Sequence, residues 1–296
     1  MSLKPDSTYT LNNGQTIPVS GFGVYQIPLD QTQNLVYEAL KVGYRHIDSA
    51  QGYGNEEQAA KGIAQFLQEN PDVRRSDVFF TTKILHTNHG YERSKVVIDE
   101  SLAKVVPHIE YIDLFLLHSP KSTKQLRIET WKRLQEYVDA GVVKSLGVSN
   151  FGIKHLEEFY AWVGLKYKPV VNQLELHPWL PRLDLLEHGK QNDYYLEAYG
   201  PLTQNKKIDD PELVKVAQDN GLTPAQVLLR WSYDQGYIPL AKTANVKRLP
   251  DNFSVLEKVP PIKELKGSEV LNKPDSYLTL DWDPTVYDDS EYVQEK

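Results

Sequence analysis

Apolar and polar positions along this chain follow two periods, and the switches between them lay out the elements. Tyr9-Thr10-Leu11 and Ile17-Pro18-Val19 flank Asn12-Asn13-Gly14-Gln15. Asn-Gly tolerates the positive φ of a tight turn, so residues 8–19 predict a β-hairpin. Short apolar runs then recur at residues 19–24, 46–49, 78–83, 112–118, 143–149, 169–176, 195–199 and 237–242. Several of them, Leu114 to Leu117 above all, are apolar throughout instead of alternating, which marks strands covered on both faces, as in a parallel sheet.

The intervening segments have helical spacing. Residues 31–42 put Leu35, Ala39 and Val42 on one face with Val36 and Leu40 beside them, and residues 130–140 do the same with Trp131, Leu134 and Val138. Thr223-Pro224 reads as an N-cap threonine with proline at the first helical position, opening a helix through Val227 and Trp231. Eight strand–helix units after a hairpin predict an α/β fold, a (β/α)8 TIM barrel over residues 19–265, with an irregular acidic tail over 267–296 packed against it. A doubly wound sheet is the competing arrangement. With no linker or low-complexity break, residues 1–296 read as a single domain.

Composition narrows the function. With 33 basic and 40 acidic side chains the net charge is −7, which argues against a general nucleic-acid binder. The absence of cysteine excludes disulfides, thiolate-bound zinc, iron–sulfur clusters and thiol nucleophiles. No apolar stretch reaches the roughly 18 residues needed to span a bilayer. The opening residues lack the apolar run of a secretion signal, so a cytoplasmic protein is expected and the Asn252-Phe253-Ser254 sequon is discounted. His86 and His89 share a loop without a third ligand, so no metal is expected. Asp288-Asp289-Ser290-Glu291 reads as a solvated tail.

In such a barrel, chemistry lies at the C-terminal strand ends. These deliver Asp48 with Tyr53 beyond it, Lys83, His118, Ser149-Asn150, Asn172-Gln173 and Glu175, Tyr199 and Lys242. Asp, Tyr, Lys and His converging without a thiol point to proton transfer. A lysine ammonium draws down the pKa of a tyrosine that is otherwise too weak an acid, an aspartate keeps the lysine charged, and a histidine hydrogen-bonds a substrate oxygen. Lys83 acting as a Schiff-base amine is the rival chemistry. Asn150 also reads as a possible helix N-cap.

The ordered series Gly43-Tyr44-Arg45-His46-Ile47-Asp48-Ser49-Ala50, Tyr53-Gly54-Asn55-Glu56, Thr82-Lys83, Asp113 to His118, Gly147-Val148-Ser149-Asn150-Phe151, Val171-Asn172-Gln173, Ala198-Tyr199-Gly200-Pro201-Leu202 and Lys242-Thr243 resembles the aldo-keto reductase family, in its fungal aldehyde- and ketone-reducing form. The resemblance runs from the hairpin to about Phe253. It implies an NADPH-dependent carbonyl reductase in which Tyr53 is the proton donor, Lys83 lowers its pKa, Asp48 pairs with Lys83, and His118 orients the carbonyl. It further implies that Ser149, Asn150 and Gln173 hold the nicotinamide carboxamide and Tyr199 stacks on the ring, with Leu202 beside the cofactor. Lys242, Thr243, Arg248 and Asn252 would take the 2′-phosphate and adenine, favouring NADPH over NADH. Gln26 breaks the G-x-G-x-x-G begun at Gly21, so a Rossmann turn is not expected.

Where many members have tryptophan, this chain has Leu85 and Ser119. Tyr25, Trp179 and Trp282 are the expected replacement walls of a roomier substrate pocket. The partner is then a small-molecule carbonyl compound, and the chain is expected as a monomer or weak homodimer. A nucleotide-binding regulatory subunit of the same fold is the alternative without catalysis.

Overall fold

The computed structural model describes residues 3–280 and 282–293. After a two-stranded antiparallel hairpin, β1 (Thr8–Thr10) and β2 (Thr16–Pro18), eight parallel strands close into a barrel. They are β3 (Gly21–Gly23), β4 (His46–Asp48), β5 (Phe79–Ile84), β6 (Ile112–Leu117), β7 (Val143–Ser149), β8 (Val171–Glu175), β9 (Tyr195–Tyr199) and β10 (Ile238–Ala241). Each pairs with its sequence neighbours and β10 closes onto β3, through Leu240 opposite Gly21. This is the predicted (β/α)8 barrel, and the doubly wound sheet is excluded. The first barrel strand is shorter than expected: Val19 and Val24 are buried but lie outside its ladder.

The hairpin closes the N-terminal end of the barrel. Leu11 and Ile17 pack with Phe79, Leu114, Leu116, Val171 and Ile238, and Tyr9 stacks on Tyr195 with ring centroids 4.6 Å apart. The opposite end stays open for chemistry.

Helices clad the outside of the barrel as their spacing predicts. The first, Leu29–Val42, buries Leu35, Val36, Ala39 and Leu40. The helix expected from residue 130 begins earlier, at Lys124, because the Thr123 hydroxyl accepts the Leu126 N–H and caps it. Thr223 and Gln226 form a reciprocal capping box with Pro224 at the first helical position, as anticipated. Asn150 caps no helix: the helix after β7 starts at Ile153, with Gly152 at its N-cap.

The acidic end is exposed at Asp288, Ser290 and Glu291, as its composition suggests, but it is also fastened to the barrel. Asp289 pairs with the buried Arg127 (2.8 Å), Asp288 with Lys154 (2.6 Å) and Asp283 with Arg182 (3.0 Å). Gly152 makes room for this segment; a Cβ there would stand 2.1 Å from the Thr285 carbonyl oxygen. Among the described residues, no helix is long and apolar enough to cross a membrane.

Candidate active site

Three strands, β4, β5 and β6, carry one buried cluster of polar and ionic groups to the open end of the barrel. Asp48 ends β4, and a short turn of 3-10 helix at Gln51–Tyr53 brings the tyrosine back over the barrel mouth. Gly54, with φ +70°, ends that turn in the left-handed region, where glycine costs least. The loop is pinned from both sides. Asn55 donates to the Val24 carbonyl (2.9 Å) and accepts from the Ser49 hydroxyl (3.0 Å), and Glu56 accepts from Thr82 (2.6 Å).

Lys83, wholly buried on β5, donates to Asp48 Oδ1 (2.7 Å), the Ser49 carbonyl (2.8 Å) and the Tyr53 hydroxyl (3.2 Å). An ammonium has three N–H donors, and all three are used. Burial alone would favour the neutral amine, but Asp48 and Tyr53 outweigh it and hold the Lys83 pKa above its ordinary value. Tyr53 shows the reverse balance. Burial raises its pKa, Lys83 pulls it down, and the net position is above the ordinary phenol. The ammonium therefore acts in the expected direction without making the phenol acidic at rest.

His118 follows β6, its ring edge-on to Tyr53 at 5.8 Å between centroids. Burial first, then the charge of Lys83, lowers its pKa to about 3, so the imidazole is neutral. Its Nδ1 is buried without a hydrogen-bond partner among the described residues.

These groups face a cleft of about 1210 Å³ lined by Asp48, Tyr53 and His118. Lys83 lies behind Tyr53 and is not part of the lining. Every residue proposed from the resemblance to hold a cofactor lines the cleft: Ser149, Asn150, Gln173, Tyr199, Leu202, Lys242, Thr243, Arg248 and Asn252. Tyr199 donates to Asn150 Oδ1 (2.8 Å), and Asn150, at φ +63°, donates to the His118 carbonyl (3.0 Å). Gln173 Nε2 donates to both Asp48 Oδ2 and Glu197 Oε2, each at 2.9 Å. That occupies both amide hydrogens and leaves its carbonyl oxygen without a partner among the described residues.

At the other end, Lys242 and Arg248 are exposed and enter no ion pair among the described residues. Two exposed cations in the cleft wall with Thr243 and Asn252, in a chain of net charge −7, suit a phosphate group. An elongated cleft with amide and hydroxyl groups at its buried end and cations at its exposed end fits a phosphorylated nicotinamide dinucleotide.

Of the expected substrate walls, Tyr25, Leu85, Ser119 and Trp282 line the cleft. Trp179 does not. It is buried against His177, and its carbonyl accepts from Leu278 N and Ser276 Oγ, so it anchors the tail. His86, weighed from the sequence as a metal ligand and set aside, lies in the cleft wall with its Nδ1 3.3 Å from Ser119 Oγ, while sequence reasoning missed the loop residues Gln204, Asn205 and Ile208. It also missed Glu197, whose one signal is a carboxylate inside the otherwise apolar run 195–199.

The family described as Aldo/keto reductase family matches residues 16–270. An uncharacterized oxidoreductase of Saccharomyces cerevisiae is 44% identical, covering 94% of this chain and 97% of its own. Aldo-keto reductase family 1 member C3 of Pongo abelii is 35% identical over 92% of this chain and 93% of its own. The crystal structure of an aldo/keto reductase from Brucella melitensis superposes with a TM-score of 0.80 at 37% identity, covering 91% of this chain and 99% of that one.

Proposed function

The chain belongs to the aldo/keto reductase family, and on that footing we propose that this oxidoreductase is an NADPH-dependent reductase of small aldehydes or ketones, with Tyr53 as the proton donor. The observation that carries this reading is the hydrogen-bonded run Asp48–Lys83–Tyr53, ending at a cleft beside a neutral His118.

Reduction of a carbonyl needs a hydride at carbon and a proton at oxygen. The bound nicotinamide supplies the hydride; the chain supplies placement and the proton. His118, neutral across physiological pH, donates a hydrogen bond to the substrate oxygen without competing for its proton. Tyr53 is protonated at rest because burial raises its pKa, so it enters the reaction loaded as an acid. As its O–H bond breaks, the developing phenolate stands 3.2 Å from the Lys83 ammonium, which stabilises charge that exists only then. Asp48 keeps that ammonium in place and ionised.

Ser149, Asn150 and Gln173 hold the carboxamide, Tyr199 packs on the ring, and Lys242, Thr243, Arg248 and Asn252 receive the phosphorylated adenosine. The Schiff-base alternative is disfavoured, because an amine with three N–H groups engaged and a raised pKa offers no lone pair. The test is loss of NADPH absorbance with an aromatic aldehyde such as nitrobenzaldehyde. Steady turnover that disappears in Tyr53→Phe supports the reading. Tight NADPH binding with no turnover across a broad carbonyl panel overturns it in favour of a regulatory, nucleotide-binding role.

A further inference from the structure

The reading above leaves one buried ionisable group under the site without a task. Glu197, on β9, is wholly buried, and its Oε2 accepts the second N–H of the same Gln173 amide that bonds Asp48. Its Oε1 has no hydrogen-bond partner among the described residues and lies 3.6 Å from His46 Nε2. Two carboxyl groups are thus joined through one amide, and the cation beside them, Lys83, is bound to Asp48.

We propose that Glu197 is a positioning residue of this site: as the neutral acid it holds the Gln173 amide with its carbonyl oxygen free for the cofactor, and as the anion it places a negative charge behind that amide and favours the oxidised, cationic nicotinamide over the reduced one. This rests on the cofactor placement of the preceding section.

The surroundings decide which form is present. On β4 lie Asp48 and His46, on β5 Lys83 and Thr81, and on β8 Gln173, while Ile238 is the β10 neighbour in register. Other ionisable groups on nearby strands are engaged elsewhere: Glu175 with His177, Asp113 with Arg75, and Lys144 over the Tyr111 ring. His46 carries no compensating charge, since burial and, to a smaller extent, the Lys83 charge bring its pKa to about 3. Burial and then the Asp48 charge push Glu197 up to about 8, against the smaller pull of Gln173 and Lys83. Glu197 is therefore neutral at pH 7 and ionises as pH rises through about 8, losing its proton to solvent.

The test measures binding, not turnover. Dissociation constants for NADPH and NADP+ are determined from about pH 6.5 to about pH 9.5 in Tyr53→Phe, where the phenol cannot titrate, and in Tyr53→Phe/Glu197→Gln. Groups on the adenosine phosphate are common to both nucleotides and cancel in the ratio. In Tyr53→Phe the preference for NADP+ over NADPH should rise on the order of tenfold across that range. With Glu197→Gln it should stay at its low-pH value. A role in packing alone would shift both constants together and independently of pH. A flat ratio in Tyr53→Phe, or a rise that survives Glu197→Gln, overturns the proposal. If the double variant does not fold, the single-variant series decides it. Absence of binding by either nucleotide instead overturns the functional reading, and this proposal with it.

Discussion

At the buried end of the cleft Lys83 spends every N–H on Asp48, Ser49 and Tyr53; at the exposed end Lys242 and Arg248 enter no ion pair among the described residues. The first cation is balanced before any ligand arrives. Its energetics depend on single atoms in a low-dielectric setting, where an unpaired partner is costly. The second pair is balanced only by what binds, through water and salt, so its effects are modest and graded. On the function proposed above, the buried end serves chemistry and the exposed end selection.

The sharpest way to break this contrast is Tyr53→Phe. Reduction should fall between about a hundredfold and ten-thousandfold, with the NADPH dissociation constant nearly unchanged; retained turnover in an NADPH absorbance assay would remove the phenol from its role. Lys83→Met comes next. It leaves the buried Asp48 carboxylate without its cation and should destabilise the fold by about 3–5 kcal/mol, read from denaturant melts, besides lowering turnover.

At the exposed end, Arg248→Ala should weaken NADPH by about tenfold and NADH hardly at all, measured by quenching of tryptophan fluorescence. Raising ionic strength should mimic that loss for NADPH only. Equal losses for both nucleotides would place the phosphate elsewhere.

The smallest effect concerns pH. Because His118 stays neutral until about pH 3, its titration should leave no inflection in turnover between about pH 5 and about pH 8. The stability signature has a definite sign. The unfolded chain takes up that proton below about 6.5 while the folded one waits until about 3, so stability is lost as pH falls through this window. His118→Gln should flatten the corresponding part of a plot of Tm against pH.

Much of this architecture is legible in the residue pattern, and the illegible parts share a cause. The run 143–149 is predicted to the residue because its apolar positions, flanked by turns, leave one arrangement. Residues 19–24 are overcalled because Val19 and Val24 are as apolar as ladder residues, although only Gly21–Gly23 pair. The four residues proposed for catalysis could be grouped because Asp48, Lys83 and His118 lie at or next to strand ends and Tyr53 follows just beyond one. Glu197 could not: until the barrel closes, a glutamate in a strand looks like one facing water. Asp289 misleads for the same reason, since its partner Arg127 lies 162 positions away. Trp179 is a pocket wall by composition but a tail anchor by packing.

The tail supplies Trp282, which forms part of the cleft wall with the Lys121 ammonium 5.9 Å from its ring. It reaches that position on a handful of ionic fastenings, none of which touches Asp48, Lys83, Tyr53 or His118. Substitutions in this segment should therefore reshape the cleft wall around Trp282 while leaving the hydrogen bonds of Lys83 to Asp48 and Tyr53 in place.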